Sequence, residues 1–310
     1  MSAEEGGQDG EEVRAHCGFA ALVGRPNVGK STLLNALLGR KLSIVSPKPQ
    51  TTRTRLQGVL TRPGMQIVFV DLPGLHVRQR RALNRYMNRM ALASLADSDV
   101  NLCVIEALRW TDEDERALES LKAAGQPIIL VVNKVDRVRP RERLLPFIEE
   151  ISRKADFVEI VPVSAARQDN LEGLPRLIAN HLPESPLLFP PEHVTDVSER
   201  FMAAEIIREK LTLRLQQELP YGIAVEIESF GPVEEEPDKL LIGAVIWVER
   251  AGQKAIVIGK GGEQLKEIGR AARLDLKAYF GRPVHLELWV KVREGWSDDD
   301  RALRKFGFET

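Results

Sequence analysis

Short apolar runs alternate with polar, glycine-containing segments through the first half of the chain. The leucine-rich run at residues 32–38 predicts a helix. Four other apolar runs predict buried strands: residues 19–23, 66–70, 127–132 and 157–161. The pattern predicts an α/β domain over residues 15–182, with a mostly parallel sheet and helices on both faces.

The second half of the chain has a different pattern. Apolar residues recur every three or four positions between residues 196 and 217 and predict a helix. The acidic, proline-containing segment 231–238 predicts a turn, and a second helical region precedes the last strand. Three apolar or alternating runs predict strands: residues 223–227, 240–248 and 284–292. This order predicts a separate α+β domain over residues 196–310.

Proline and glycine mark the remaining boundaries. Four prolines fall between residues 182 and 191 and predict a semi-rigid linker over residues 183–195. The first 14 residues are acidic and glycine-rich, without the apolar core of a signal peptide, and we expect a disordered tail at residues 1–14.

Composition agrees with an ordinary soluble protein. The 310 residues suggest about two domains. Hydrophobic residues make up 43% of the chain, charged residues 29%, and the net charge is −1, so no overall field attracts polyanions. Cys17 and Cys103 are far apart, and we expect both to be reduced. No apolar run approaches the length that spans a bilayer, and we expect a cytoplasmic location.

Residues 24–31 form the pattern G-x-x-x-x-G-K-S between the first predicted strand and the first predicted helix. The glycines let the backbone curl around a phosphate, with N–H groups and the helix N-terminus directed at the anion. Lys30 can reach the β and γ phosphate oxygens, and the Ser31 hydroxyl can bind Mg²⁺. The alternative, a glycine turn without a ligand, is disfavoured by the presence of both residues. The predicted phosphate-binding residues are Gly24, Arg25, Pro26, Asn27, Val28, Gly29, Lys30, Ser31 and Thr32.

A second motif selects the base. Asn133, Lys134 and Asp136 form N-K-x-D directly after the predicted strand 127–132, at the strand end where open α/β sheets bind ligands. An Asp carboxylate accepts two hydrogen bonds from guanine N1–H and N2–H₂, a pair that adenine lacks. Alone, the motif could be a surface turn. After a phosphate-binding loop it predicts a guanine nucleotide.

Three further segments agree with a GTP site. Asp71 ends a predicted strand and is placed to hold Mg²⁺ through water, while the Gly74 N–H can meet the γ-phosphate. The backbone of Ser164 and Ala165 could contact guanine O6. In the proline-rich segment 47–53 a threonine can bind Mg²⁺ and sense the γ-phosphate, and we favour Thr52 over Thr51. The remaining predicted GTP-binding residues are Asp71, Leu72, Pro73, Gly74, Asn133, Lys134, Asp136, Ser164 and Ala165. The predicted catalytic residues are Lys30, Thr52 and Gly74, and the predicted metal ligands are Ser31, Thr52 and Asp71.

A glycine loop in the second domain points to nucleic acid. Residues 256–265 run from an apolar stretch into G-x-x-G and then into a helix, the signature of a KH domain, whose loop lets a nucleic-acid backbone approach closely. From residue 250 to 293 ten Lys or Arg oppose four Asp or Glu, a net +6 that suits phosphate contacts. The alternative is a solvated helix face with an ordinary turn. A KH groove favours a few unpaired nucleotides. The predicted RNA-binding residues are Ile258, Gly259, Lys260, Gly261, Gly262, Lys266, Arg270 and Arg273.

Together, these motifs resemble a translation-factor-class GTPase of the Era family. The phosphate loop 24–31, the P-Q-T-T-R segment 49–53, D-L-P-G at 71–74 and N-K-V-D at 133–136 match in order, and the resemblance covers about residues 17–308. The resemblance implies a P-loop GTPase domain followed by a type II KH domain. It also implies Mg²⁺-dependent GTP hydrolysis, binding of the 3′ end of 16S ribosomal RNA, and assistance to assembly of the 30S subunit.

Some positions depart from the pattern of related enzymes. Leu72 stands where relatives often carry Thr, and Glu106 stands where many G domains carry Asp; we expect neither to remove function. Ras-like enzymes place a water-orienting Gln after D-x-x-G, but here Leu75 occupies that position and predicts a slow basal rate. His76 as a base is less favoured than an ordinary loop histidine. In related GTPases an Asn at the position of Asn27 helps bind K⁺, which makes K⁺ a candidate cofactor.

Two other functions stay open. A nucleotide-holding RNA-binding scaffold with little turnover is disfavoured by the intact Lys30, Ser31 and Asp71. A tRNA-modifying GTPase complex would need a folate or redox module, for which the chain has no candidate segment. The arginine-rich stretch 78–95 favours a sheet-covering helix over a membrane-surface helix. We further expect a monomer, with peripheral contact at the inner membrane as an open alternative.

Overall fold

The computed structural model describes residues 15–46, 48, 51–73, 82–215 and 222–306. The predicted tail at residues 1–14 and the predicted roles of residues 74–76 fall outside these ranges.

The first sheet carries the strand order β2-β3-β1-β4-β5-β6. All neighbouring pairs are parallel except β2 with β3, and the short strand β7 pairs antiparallel with β1. The strands are β1 (Ala15–Val23), β2 (Leu56–Arg62), β3 (Met65–Asp71), β4 (Val100–Glu106), β5 (Ile128–Asn133), β6 (Phe157–Pro162) and β7 (Glu184–Ser185).

Helices cover both faces of this sheet because its strands are apolar on both sides. On β1, Ala20 and Leu22 belong to one buried cluster, whereas Ala21 and Val23 belong to the other. The first cluster contains residues of α1 and α5, and the second contains residues of α2, α3 and α4. The helices are α1 (Lys30–Leu38), α2 (Ala82–Ala96), α3 (Asp112–Ala124), α4 (Leu144–Ser152) and α5 (Leu174–Ala179). The predicted fold class of the first domain is confirmed.

The second sheet has three strands in the order β10-β9-β8, with β9 parallel to β10 and antiparallel to β8. Its elements are α6 (Glu199–Arg214), β8 (Ile223–Val233), β9 (Glu236–Val248), α7 (Ala251–Ile258), α8 (Glu263–Phe280), β10 (Val284–Val292) and α9 (Asp300–Lys305). Residues of α6, α7 and α8 pack with the strands in one buried cluster. The predicted order of helices and strands, and the α+β class, are confirmed.

The predicted turn at 231–238 was too long. Strand β8 continues to Val233 and β9 begins at Glu236, so the turn contains only the two glutamates between them. Pro232 is tolerated within β8 because β8 is an edge strand and its register with β9 shifts between Pro232 and Val233.

The proline-rich segment after α5 lies against the first sheet. The buried side chain of Gln66 accepts a hydrogen bond from Phe189 N (2.9 Å) and donates one to Phe189 O (2.8 Å). Further along, Val59 N donates to Val194 O at 2.7 Å, beside the edge strand β2. These contacts fix the path of the segment between the two sheets.

Helix α2 does more than cover the sheet. The helix covers the sheet as predicted, through Ala91 and Leu95, but Leu83 and Met87 lie in a separate cluster with Trp296 and other residues of the second domain. Helix α2 therefore forms part of the boundary between the two domains. Within the described ranges, no helix has both the length and the apolar character needed to cross a membrane.

Candidate nucleotide and RNA sites

The loop at residues 24–31 follows β1 and leads into α1, which places it at the carboxyl edge of the sheet. Gly29 has φ 105°, and a Cβ there would lie 2.3 Å from Asn133 Nδ2. Only glycine fits, because the loop passes this close to the strand-end residue that carries the guanine motif. The phosphate-binding segment and the base-selecting segment are therefore in direct contact.

Lys30 lies inside the loop. Its Nζ donates to the backbone oxygens of Gly24 (2.8 Å) and Arg25 (3.1 Å). Burial lowers the pKa of Lys30 to about 8, while the nearby Asp71 carboxylate acts in the opposite direction. A buried cation at the centre of a phosphate-binding loop is suited to pairing with phosphate oxygens.

Ser31, Thr52 and Asp71 meet on the same side of the loop. Asp71 Oδ2 accepts hydrogen bonds from Ser31 Oγ (3.0 Å), Ser43 Oγ (2.8 Å) and Thr52 Oγ1 (3.3 Å), and the Ser31 and Thr52 hydroxyls are 3.1 Å apart. Burial raises the pKa of Asp71, although Lys30 and the three hydroxyls lower it in part. The structure thus brings the three predicted metal ligands together.

The donor set fits a hard cation. Asp71 Oδ1 is buried and has no hydrogen-bond partner within the described part of the chain. In the same ranges no group of three His, Cys, Asp or Glu side chains could hold a metal. A site with one carboxylate and two hydroxyls suits Mg²⁺, which keeps several waters and takes its remaining ligands from substrate phosphates. The Thr51 hydroxyl does not join this group, because its Oγ1 donates to Lys48 O at 2.6 Å.

The guanine motif is tied to the phosphate loop. Asn133 Nδ2 donates to Val28 O (2.8 Å), and its Oδ1 accepts from Ala165 N (3.0 Å). Lys134 Nζ donates to Asn27 O at 2.6 Å. Asn133 and Lys134 thus span the loop and the segment after β6.

The Asp136 carboxylate is oriented by Ser164, whose Oγ donates to its Oδ1 at 2.7 Å. The Arg167 guanidinium is 4.0 Å from the other oxygen. Ser164 therefore orients, through its side chain, the carboxylate that is predicted to select the base; the sequence had predicted only a backbone role for Ser164.

Arg25 and Glu106 form a network that the sequence did not reveal. Arg25 donates to Glu106 (3.0 Å) and Asp114 (3.0 Å), and Lys134 pairs with Glu106 at 3.1 Å. Burial alone would raise the pKa of Glu106, but hydrogen bonds from Arg25 and Lys134 outweigh it, so the pKa is lowered. The buried Arg25 side chain is therefore engaged in ion pairs that tie the phosphate loop to β4 and α3. The sequence offered one hint of this network: position 106 carries Glu where many G domains carry Asp.

An open cavity of about 460 Å³ lies beside the phosphate loop. It is lined by Pro26, Asn27, Gly29, Lys30, Ser31, Thr32, Ile44, Val45, Ser46, Lys48, Thr51, Thr52, Lys134, Arg137 and Leu213. Leu213 belongs to α6, so the cavity touches both domains.

The predicted RNA-binding loop joins α7 to α8. Ile258 ends α7 and packs against the core of the second domain, and the glycines of the loop follow. Gly259 has φ 74°, and a Cβ there would lie 2.5 Å from the Cβ of Gln264. Glycine therefore allows the sharp turn into α8.

Basic side chains surround this loop. Lys260 is exposed on the loop, and Lys266, Arg270 and Arg273 lie along α8. Their helical spacing places the three α8 residues on adjoining turns of one side. Lys266, Arg270 and Arg273 therefore form one exposed basic row along α8, which suits contacts with nucleic-acid phosphates.

Comparison with known proteins covers both domains. A family model described as 50S ribosome-binding GTPase matches residues 19–134, and a KH domain model matches residues 218–297. The chain is 54% identical over 299 residues to GTPase Era of Stenotrophomonas maltophilia strain K279a, which covers 96% of this chain and 99% of the relative. It is 52% identical over 297 residues to GTPase Era of Marinobacter nauticus, with 96% of each chain covered.

Two solved structures are similar over nearly the whole chain. One is a variant of Aquifex aeolicus Era bound to GDP·AlF₄⁻, with TM-score 0.91, 43% identity, and coverage of 95% of this chain and 99% of that one. The other is Era in complex with MgGDPNP and nucleotides 1506–1542 of 16S ribosomal RNA, with TM-score 0.91, 44% identity, and coverage of 96% and 100%.

Proposed function

The chain belongs to the Era family of GTPases, and we propose that it binds the 3′ end region of 16S ribosomal RNA and assists maturation of the 30S subunit. One observation carries the proposal: its likeness to the Era complex with MgGDPNP and 16S RNA extends over 96% of the chain and includes both domains. Such a role places the protein in the cytoplasm. Peripheral membrane contact and the monomeric state remain predictions.

For the nucleotide, we assign the phosphates to the loop at residues 24–31 and the base to Asp136. Lys30, whose pKa is lowered to about 8, gains a phosphate partner that favours its charged form. Asp136 is held by Ser164 and accepts from guanine N1–H and N2–H₂. Gly74 is assigned to the γ-phosphate from the sequence motif alone.

For the metal, we assign Ser31 and Thr52 as ligands and Asp71 as a ligand through water. When bound, Mg²⁺ offsets negative charge on the β and γ phosphate oxygens. The buried, unpartnered Asp71 Oδ1 and the convergence of three hydroxyls on Asp71 Oδ2 support this assignment. Catalysis by this chain rests on positioning and electrostatic stabilisation. Asn27, which lines the cavity, is assigned to K⁺.

For the RNA, we assign the backbone to the loop at residues 258–262 and the phosphates to Lys260, Lys266, Arg270 and Arg273. A narrow groove beside a glycine loop takes unpaired nucleotides, and the cluster of cations makes binding sensitive to salt.

The two activities are linked in this proposal. Thr52 is a proposed metal ligand, while its neighbours Thr51 and Arg53 contact the second domain through Arg208 and Ile223. Loss of the γ-phosphate moves Thr52 and thereby changes the orientation of the second domain. A scaffold that only holds a nucleotide would not need these contacts.

Crosslinking of the protein to RNA in cells, followed by sequencing of the bound fragments, tests the ligand. We expect reads concentrated at the 3′ end of 16S RNA. Reads scattered over messages and tRNAs would exclude the ribosomal assignment. A variant with Lys260→Asp, assayed in parallel, identifies the reads that depend on the glycine loop.

A further inference from the structure

One wall of the nucleotide cavity comes from the RNA-binding domain. Leu213 of α6 lines the cavity together with Ile44 and Val45 of the first domain. We propose that Leu213 is a positioning residue for the nucleotide, and that α6 slows nucleotide release by closing this side of the cavity. The inference rests on the proposed assignment of GTP to this cavity.

Helix α6 is fixed to the cavity wall by a buried carboxylate. Glu209 is 4% exposed; its Oε1 accepts from Val45 N at 2.9 Å and its Oε2 accepts from Lys41 Nζ at 2.6 Å. Val45 is itself a lining residue of the cavity. Leu213 follows Glu209 by one helical turn and so lies on the same side of α6.

Two more contacts hold α6 and its C-terminal end to lining residues. Arg208 donates from Nη2 to the backbone oxygen of Thr51, and Lys48 donates from Nζ to the backbone oxygen of Leu215. Thr51 and Lys48 both line the cavity. The first-domain wall of the cavity is therefore attached at three points: Val45 and Thr51 to residues of α6, and Lys48 to Leu215, which directly follows α6.

The chemistry of the walls indicates which part of the nucleotide meets Leu213. The phosphate loop supplies Lys30 and backbone N–H groups on one side, whereas Ile44, Val45 and Leu213 are apolar. Apolar side chains gain nothing from phosphates but pack favourably on ribose carbons or a purine face. Leu213 is 49% exposed, which leaves its outer surface available to a ligand.

Release of GDP measures the effect directly. A fluorescent GDP is loaded on the full chain with Mg²⁺, chased with excess GDP and followed by stopped flow. We expect Leu213→Ala to release GDP about fivefold faster, because alanine forgoes roughly half of the apolar burial of a leucine side chain against the nucleotide. Leu213→Met, which keeps an apolar side chain of similar size, should release at close to the wild-type rate.

Leu274→Ala is the matched control, because Leu274 is a leucine of the same domain that is 56% exposed and is not among the residues that line the cavity. Its release rate should equal wild type. Equal release from wild type and Leu213→Ala would overturn the inference, as would equal acceleration by both alanine variants. Failure of the wild-type chain to bind GDP would instead overturn the proposed function. We expect wild type and Leu213→Ala to unfold at the same temperature. Faster release by the variant would then come from loss of the Leu213 side chain and not from unfolding of the domain.

Discussion

Arg53 Nη1 donates a 2.6 Å hydrogen bond to the backbone oxygen of Ile223, across the boundary between the two domains. Arg53 is 3% exposed. It directly follows Thr52, whose hydroxyl lies 3.3 Å from Asp71. Thr52, the residue proposed to sense the γ-phosphate, is therefore next to Arg53, whose buried side chain is hydrogen-bonded to Ile223, the first residue of β8.

Replacing Arg53 by Ala should uncouple RNA binding from the nucleotide. A buried hydrogen bond to a charged group contributes on the order of 1.5–3 kcal/mol, so the ratio of RNA affinities in the GDPNP and GDP states should fall by about tenfold. Fluorescence anisotropy with a labelled RNA of the 16S 3′ end measures both affinities.

Arg55→Ala is the control for this experiment, because Arg55 is exposed two residues further along. It should leave the ratio unchanged. An unchanged ratio in Arg53→Ala would mean that the two domains communicate elsewhere, through α2 and Trp296 for example.

The lowered pKa of Lys30 predicts how nucleotide affinity depends on pH. In the proposed site the charged lysine binds phosphate, so we expect affinity to be greatest well below the pKa of about 8 and to fall as pH rises through it. Between pH 7 and 8.5 the charged fraction of the nucleotide-free protein drops about fourfold, and GDP affinity should drop by a similar factor. Isothermal titration calorimetry across this range measures the change. GMP, which lacks the β and γ phosphates that Lys30 reaches, should show a flat profile; a parallel decline for GMP would remove Lys30 as the cause.

Asp136→Asn should change the base preference from guanine to xanthine. The amide presents a donor to guanine N1–H and N2–H₂, so GTP affinity should fall at least about a hundredfold. Xanthine carries an oxygen in place of the 2-amino group and can accept from the amide, so XTP should compete better than GTP. Competition against a fluorescent nucleotide gives both values. Glu142→Gln, at an exposed position of the same domain, should keep the wild-type preference.

Local patterns were predicted well because they depend on neighbouring residues. Strand β10 spans Val284–Val292, the same residues that alternation predicted. The phosphate loop was likewise identified from the spacing of its own glycines and hydroxyl residues. Helix α1 begins at Lys30, two residues before the predicted start, because the loop glycine Gly29 leads directly into its first turn.

Contacts between distant residues could not be predicted from one sequence. Arg25 and Asp114 are 89 positions apart, and Val45 and Glu209 are 164 apart. Charged residues in these segments have no local feature that selects a partner. The extent of β8 was missed for a different reason: pairing with the neighbouring strand β9 overrides the turn preference of Pro232.

Lys260→Asp with Gly261→Asp should weaken RNA binding and leave GTP affinity unchanged. Two negative charges in the loop repel phosphates, and binding should fall by at least about tenfold at moderate salt. Gly261 has φ 62°, and a Cβ at this position would meet open space. Asp tolerates this backbone conformation better than most residues, so the fold should persist. Filter binding and nucleotide titration measure the two affinities. Arg141→Asp, an exposed charge reversal in the first domain, should leave both affinities unchanged.

Potassium should accelerate hydrolysis through Asn27. The position after D-x-x-G holds Leu75, which cannot orient water, so another positive charge near the γ-phosphate has a larger effect on rate. Asn27 lines the cavity with φ 65°, and its backbone oxygen accepts a hydrogen bond from Lys134 at 2.6 Å, which fixes the residue within the predicted phosphate loop. Phosphate release at saturating GTP should therefore be faster in KCl than in NaCl of equal ionic strength. Asn27→Gly keeps the backbone conformation while removing the side chain, and its rates in the two salts should be equal. If the wild-type enzyme already turns over equally in both salts, Asn27 holds no potassium and the slow rate implied by Leu75 is the rate of the unassisted enzyme.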